Sequence, residues 1–423
     1  MTFDNTQKRE RVILAGVCTG FGDALTDTSE KSIAELAELA ATAGAEVVGS
    51  LIQNKAEIES ATYMGTGKLA ELREMVHKER ADAVIFDDEL TPIQLRNITD
   101  ELDVKVLDRT MLILDIFALH AKSRTGKIEV ELAQLRYSLP RLSGQGTGLS
   151  RLGGGIGTRG PGETKLETSR RHIRTRISHL KAELSEIEKN TDLIRRRRKK
   201  NNMPTVALAG YTNAGKSTLL NLLTDSDVLA ENKLFATLDP TVRLLTLPDK
   251  REVLLSDTVG FINKLPHQLV EAFKSTLDEV VYADVILNVV DASDPDFSDH
   301  IEVVNRIFGE LGVKNRKIIC VFNKTDQLPN LDSIPKSAAG AAECIAVSVK
   351  TGFQIEELKL LIQKYSLGEK RRFELLLPFD AGRLNAELHE NCTIEAEEFT
   401  ENGTKLTLWL DEDMYRRCRE FVI

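Results

Sequence analysis

Apolar runs and helical stripes alternate along the first hundred residues. Val12 to Val17, Val47 to Ile52, Ala83 to Phe86 and Val104 to Leu107 read as strands, and Ser29 to Ala43 reads as a helix between the first two. Such alternation predicts a small parallel α/β domain, taken here as residues 1–124. Thr91-Pro92 sets an N-cap before a proline at the first helical position, so a helix is expected after Glu89.

The period then changes. Ile128, Leu132, Leu135 and Leu139 step by 4, 3 and 4 residues, and Leu166, Ile173, Ile177, Leu180, Leu184, Ile187 and Ile194 follow the same heptad spacing. Two such stripes predict an antiparallel helical hairpin over residues 125–203. Its second helix, from about Lys165 to Lys200, is expected to be roughly 50 Å long at 1.5 Å per residue and to project as an arm. Between the two helices, Ser143 to Gly162 holds nine of the chain's 27 glycines, which makes the arm's tip a loop able to follow a partner closely. From Pro204 a second α/β alternation runs to residue 368. A βαββα pattern over residues 369–423 predicts a small α+β domain at the end, built on Arg372 to Leu377, Leu384 to His389, Thr393 to Glu398, Lys405 to Leu410 and Asp413 to Phe421.

Composition fits this multidomain reading. At 423 residues the chain exceeds one ordinary core, and 42% hydrophobic with 29% charged residues is neither a disordered nor a membrane composition. No run reaches the ~20 apolar residues of a membrane span, and the polar start Met1 to Arg11 lacks the apolar centre of a signal peptide. A cytoplasmic protein without an integral membrane segment is expected. Cys18, Cys320, Cys344, Cys392 and Cys418 show no Cys-x-x-Cys spacing, so they read as core thiols and not as a disulfide framework or zinc site.

Charge is uneven. The net value of −9 argues against a protein that coats DNA or RNA over its whole surface, yet Arg141 to Arg176 carries eight basic residues against two acidic ones. That segment, at +6, supplies the RNA-contact candidates Arg151, Arg159, Gly160, Pro161, Gly162, Lys165, Arg170, Arg171 and Arg174. The run Arg195 to Lys200, basic at all six positions, has two readings: a solvated helix end that complements the helix dipole, or a second contact for phosphate.

The strand pattern Thr205 to Ala209 leads into Gly210-Tyr211-Thr212-Asn213-Ala214-Gly215-Lys216-Ser217, and Thr218 to Leu223 continues as a helix. Strand, glycine loop and helix in that order form a phosphate-binding loop. Its backbone N–H groups point inward at phosphate oxygens, Lys216 reaches the β- and γ-phosphates, and Ser217 offers a hydroxyl to Mg²⁺. A second strand ends in Asp257-Thr258-Val259-Gly260, where the carboxylate can hold a water of the Mg²⁺ shell and Gly260 can bring its N–H to the γ-phosphate. Between them lies Phe235-Ala236-Thr237-Leu238-Asp239-Pro240-Thr241, with Thr237 the choice for a second hydroxyl on Mg²⁺ and Thr241 the runner-up.

A third strand ends in Asn323-Lys324-Thr325-Asp326. Asp326 can accept from N1–H and the exocyclic amine of guanine, groups adenine does not present, so this order of motifs selects GTP over ATP. Ser348-Val349-Lys350 stands where a further base-contacting loop is expected, with Val349 in place of the usual alanine. Asn213 either coordinates a potassium ion or simply stabilises the loop. Phe261 follows Gly260 where many GTPases place a water-orienting glutamine, a role phenylalanine cannot fill.

With Asp87-Asp88-Glu89-Leu90, Asp108-Arg109-Thr110, Leu114-Asp115-Ile116-Phe117, Val130-Glu131-Leu132-Ala133-Gln134-Leu135 and Gly157-Thr158-Arg159-Gly160-Pro161-Gly162-Glu163-Thr164, these motifs resemble the HflX family of translational GTPases over nearly the whole chain. Ser169 departs from an aspartate common in that family. The resemblance implies a Ras-like central domain that binds GTP and GDP with Mg²⁺ and acts as a monomer. It also implies binding to the large ribosomal subunit, with the hairpin loop near the peptidyl-transferase region, and separation of stalled or idle ribosomes in the GTP state. It implies, too, a first domain that can touch a purine nucleotide, for which Gly65-Thr66-Gly67-Lys68 and Asp87 to Glu89 are the only hints.

Two other readings share these motifs: a switch whose arm binds a protein, and a nucleotide-dependent RNA-remodelling enzyme. The arm's charge favours RNA over a protein partner. Phe261 carries an expectation of slow intrinsic hydrolysis, raised by a partner that orders the loops or supplies the missing group. Steady-state turnover of the purified protein, with and without that partner, checks it; equal rates would contradict it.

Overall fold

The computed structural model describes residues 9–19, 23–142, 161–200, 203–224, 234–235, 238–266, 269, 273–313, 316–367, 371–410 and 412–423. Near the N-terminus, β1 (Arg11–Thr19), β2 (Glu46–Lys55), β3 (Ala83–Phe86) and β4 (Lys105–Asp108) form a parallel sheet in the order β2-β1-β3-β4. Its crossovers are α1 (Asp23–Thr42), α2 (Thr66–Glu79) and α3 (Pro92–Leu102), and α4 (Arg109–His120) follows β4 directly. The start of α3 is a capping box: Gln94 N donates to Thr91 Oγ1 at 3.2 Å and Thr91 N donates to Gln94 Oε1 at 3.0 Å.

The hairpin consists of α5 (Arg124–Arg141) and α6 (Pro161–Lys200). Ile128, Leu132, Leu135 and Leu139 meet Ile173, Ile177, Leu180, Leu184 and Ile187 along the seam. Arg176 with Glu131 and Arg124 with Glu183 set the antiparallel register. The arm differs from its sequence reading in two places. Helix α6 starts at Pro161, so Pro161 and Gly162 belong to it and not to the tip loop; proline at the first helical position loses no hydrogen bond. Ile194 is half exposed and lies off the seam, and the side chain of Leu166 is outside the described residues.

Helix α5 has a second apolar face besides the seam. Val130, Ala133 and Tyr137 on its other face pack into the cluster of Leu112, Ile113 and Phe117 beside the first sheet. Tracing one heptad stripe concealed this second apolar face, which places α5 between the sheet layer and α6.

The central sheet runs β10-β9-β8-β5-β7-β6, with β6 alone antiparallel. Its strands are β5 (Thr205–Gly210), β6 (Thr241–Thr246), β7 (Glu252–Asp257), β8 (Val285–Asp291), β9 (Lys317–Asn323) and β10 (Glu343–Ala346). Helices α7 (Lys216–Thr224), α8 (Lys274–Tyr282), α9 (Phe297–Glu310) and α10 (Ile355–Leu367) cover it. At the C-terminus, β11 (Arg371–Leu377), α11 (Gly382–Asn391), β12 (Thr393–Thr400), β13 (Gly403–Leu410) and α12 (Glu412–Cys418) complete an antiparallel three-stranded sheet with helices, around Leu375, Leu388, Leu406 and Leu408. Cys18, Cys320 and Cys418 are buried thiols, whereas Cys344 and Cys392 are only partly covered. Among the described residues no helix is long and apolar enough to cross a membrane, and no group of three or more His, Cys, Asp or Glu could hold a metal ion.

One apolar cluster crosses from the first α/β layer into the second. Phe117 of α4 meets Phe235 and Phe273 edge-on, with ring centroids 4.8 and 4.6 Å apart, and Leu234, Leu238, Val259, Ile262 and Leu269 fill in around them. Edge-to-face pairs add about 0.5–1.5 kcal/mol each beyond the area they bury. Phe117→Ala is expected to cost about 3–5 kcal/mol, read as a lower urea midpoint with an unchanged slope. A loss under about 1 kcal/mol would show that the site collapses around the gap.

Candidate nucleotide-binding site

The loop between β5 and α7 owes its shape to two glycines that nothing else can replace. A Cβ on Gly210 (φ 141°) would lie 2.2 Å from the Val289 carbonyl oxygen, and one on Gly215 (φ 92°) would lie 2.4 Å from Asn323 Nδ2. Gly210 thus lets the loop leave β5 hard against β8, and Gly215 lets Asn323 donate to the Ala214 carbonyl at 2.9 Å. Asn323 Oδ1 in turn accepts from Val349 N at 3.2 Å. A single side chain therefore ties the phosphate loop to both loops that follow β9 and β10.

Around the base-reading segment, Ser348 Oγ donates to Asp326 Oδ1 at 2.7 Å, and Lys350, largely exposed, stands 3.9 Å from the other oxygen of Asp326. Lys324, at φ 62°, pairs with Asp291 at 2.6 Å, which fixes the ammonium and leaves its stem to lie against a ligand. Thr325 is buried and bonds the Val347 carbonyl with its hydroxyl, so it braces the segment from behind. Thr218 is exposed on the first turn of α7, and Asn213 is exposed at φ 60°.

On the phosphate side, Lys216 is buried, with Nζ donating to the carbonyls of Gly210 (3.2 Å) and Tyr211 (2.7 Å). Burial lowers its pKa to about 8, against the opposing pull of Asp257. Ser217 Oγ donates to Asp257 Oδ2 at 2.6 Å, and Thr258 Oγ1 reaches back to the Leu208 carbonyl at 2.6 Å. Two oxygen donors side by side at the start of a helix suit a hard divalent cation. Phe261 is sealed against Phe308, and its backbone pairs with the loop: Phe261 N donates to Gly210 O at 3.1 Å, and Thr212 N to Phe261 O at 2.8 Å.

Several expected site residues turn elsewhere. The side chains of Phe235, Leu238 and Val259 are buried in the shared apolar cluster, where transfer from water outweighs any contact they could make with a polar ligand. Asp239 faces the hairpin: its carboxylate accepts from Lys122 N at 2.8 Å and Ser123 N at 2.7 Å, and Ser123 Oγ donates to it as well. Tyr211 stacks on His300 at 3.8 Å, donates its hydroxyl to Glu35 and accepts from Asn263 N at 2.7 Å. Ala236 and Thr237 lie outside the described residues, as do Arg151, Arg159, Gly160 and the side chains of Pro161, Gly162 and Lys165.

Among the remaining basic candidates, Arg171 and Arg174 are exposed and Arg170 is half buried. Arg176 is taken up by Glu131, and Arg141 donates to the Tyr137 and Leu90 carbonyls, so two members of the +6 count already have partners. Arg195 fits neither reading of the basic run: it stacks on Tyr282 and pairs with Asp278 (3.2 Å) and Glu279 (3.4 Å), fastening the end of α6 to α8.

Sequence reasoning missed the ionic joint beside the site. Arg109, buried, donates to Asp87 at 2.8 Å, to Glu35 and to the Asn263 carbonyl at 3.1 Å, and Lys264 bridges Asp87 and Asp88. Burial would push the Asp87 carboxyl up, but Arg109 and Lys264 outweigh it and hold the group below the usual carboxylate range. The signal was present in Asp87-Asp88 and Asp108-Arg109-Thr110, but only the fold supplies Lys264, Tyr211 and Glu35 as partners.

A six-stranded sheet with one antiparallel edge strand, a strand-loop-helix phosphate loop and an Asn-Lys-Thr-Asp segment braced by a second loop define a P-loop GTPase. Residues 30–118 match the family described as GTP-binding GTPase N-terminal, 120–198 the GTP-binding GTPase Middle Region, and 205–324 the 50S ribosome-binding GTPase. The GTPase HflX of Caldanaerobacter subterraneus is 49% identical over 98% of this chain and 94% of its own length. Those of Lacrimispora saccharolytica and Escherichia coli are 47% and 40% identical, over 96% and 89% of this chain and 95% and 89% of their own. A solved GTP-binding protein from Sulfolobus solfataricus in complex with GDP overlaps 84% of this chain and 98% of its own at 25% identity, with a TM-score of 0.45. The chain belongs to the HflX family of GTPases, and it binds and hydrolyses GTP.

The lowered pKa of Lys216 predicts that phosphate binding is pH-dependent. Only the charged ammonium pairs with phosphate, so affinity for GTP is expected to be flat below about pH 8 and to fall above it, approaching about tenfold per pH unit. Titration calorimetry from pH 7 to 10 should show proton uptake on binding only above about pH 8. An affinity independent of pH over that range would contradict this.

Proposed function

We propose that this GTPase binds the large ribosomal subunit through its hairpin and, in the GTP state, separates stalled or idle ribosomes. The observation that carries the reading is the contact of Asp239 with Lys122 N and Ser123 N at the N-cap of α5. A loop expected to order around the γ-phosphate is thereby bonded to the helix that leads into the RNA-facing segment. The match of residues 205–324 to a 50S ribosome-binding GTPase supports the same partner. Exposed Arg171 and Arg174 on α6 are suited to rRNA phosphates, and the glycine-rich tip would follow the RNA surface near the peptidyl-transferase region.

In this reading the phosphate cradle spans Gly210 to Thr218, with Lys216 on the β- and γ-phosphates and Gly260 N–H on the γ-phosphate. Asn323, Lys324, Asp326 and the Ser348 to Lys350 loop hold guanine. Mg²⁺ would be held by Ser217 and Thr237, with Asp257 acting through a water; its charge offsets that of the phosphates. Asn213, exposed beside the cradle, is the position for K⁺. The protein acts as a monomer in the cytoplasm, with its functional units divided at residues 124, 203 and 368. Hydrolysis is slow alone because Phe261 is turned into the core, and the ribosome raises it.

Co-sedimentation with 50S particles tests the proposal. The protein should pellet with them in GTP far more than in GDP, and less at higher salt. No GTP-dependent pelleting at either salt concentration would overturn it.

A further inference from the structure

Hydrolysis of GTP needs a water aimed at the γ-phosphorus, and the side chain after Gly260 cannot aim it. Phe261 is 1% exposed, faces Phe308, and is locked there by backbone hydrogen bonds on both sides. Some other group must face that water. A Cβ built on Gly260 shows which atoms stand against it: Thr212 Cγ2 at 2.7 Å, Thr212 Cα at 2.9 Å and Lys216 Nζ at 3.0 Å. Lys216 can only donate. Thr212 can also accept.

The state of that hydroxyl points the same way. Thr212 is 7% exposed, and its Oγ1 is buried without a hydrogen-bond partner among the described residues. An unpaired buried hydroxyl is unfavourable, so packing alone would be served better by valine, which has the same shape. The methyl now faces Gly260, and one step between staggered rotamers about Cα–Cβ carries the hydroxyl into the methyl's place and the methyl into that of Hβ. The hydroxyl then stands where Gly260 and Lys216 converge.

We propose that Thr212 is a catalytic residue whose hydroxyl accepts a hydrogen bond from the attacking water and so occupies the role that Phe261 leaves vacant. The water oxygen forms the new bond to the γ-phosphorus as the bond to the β–γ bridging oxygen breaks. GDP keeps that oxygen and its electron pair, and both water protons end on inorganic phosphate. Thr212 orients the water without taking a proton. The proposal rests on GTP hydrolysis alone and is independent of the ribosome reading.

The test compares Thr212→Val and Thr212→Ser in the full chain, with single-turnover GTP hydrolysis and equilibrium binding of GTP measured separately and folding checked by thermal melting. Thr212→Val should lower the hydrolysis rate by about tenfold or more while GTP affinity stays within about threefold. Thr212→Ser should keep the rate within about threefold of the parent. The proposal is overturned if Thr212→Val hydrolyses GTP within twofold of the parent, if its loss appears in affinity instead of rate, or if serine fails to rescue in a protein that melts like the parent.

Discussion

Arg109 is the constraint on which the rest of the molecule depends. A guanidinium cannot shed its proton, so once sealed from water it must be answered by carboxylates at short range. Asp87 comes from the end of β3 and Glu35 from α1, while Asn263 offers a carbonyl from the segment just beyond Gly260. Glu35 passes the connection to Tyr211 in the phosphate loop, and Asp87 passes it to Lys264. The first α/β layer therefore does not merely sit beside the GTPase site. It holds two of the segments that form it, and loss of any one partner would leave a buried charge unanswered, at a cost of about 3–5 kcal/mol.

The apolar cluster around Phe117 reinforces this from another side. Leu234, Phe235 and Leu238 bracket residues 236–237, and their side chains are buried among residues of α4 and α5. Leu234, Phe235 and Leu238 are thus anchored to the N-terminal layer, and Asp239 to the start of the hairpin. Any rearrangement of that segment around a γ-phosphate must either drag these contacts along or break them. Tight packing turns a local change into a change of domain geometry.

Much of the fold could be read directly from the chain. The strands around Val12, Ala83 and Ile318, the N-cap at Thr91 and the phosphate loop are local: each depends on residues a few positions apart, and the loop on backbone angles only glycine accepts readily. What stayed hidden depends on distant partners. Arg195 looked like one of six interchangeable cations until Tyr282 and Asp278 came into reach, some eighty positions away. Tyr211, Phe235 and Asp239 sit inside a recognisable nucleotide motif, yet their side chains serve the contacts between domains. Helix α5 showed its seam but not its second apolar face, since both share one short sequence and the coiled-coil stripe is the more regular of the two.

Gly126 gives the Asp239 contact a further meaning. A Cβ there would come within 2.4 Å of Asp239 Oδ1, so the junction between nucleotide loop and hairpin closes only because that position has no side chain. It sets the closest approach of the two segments, and any side chain there would act as a wedge between them.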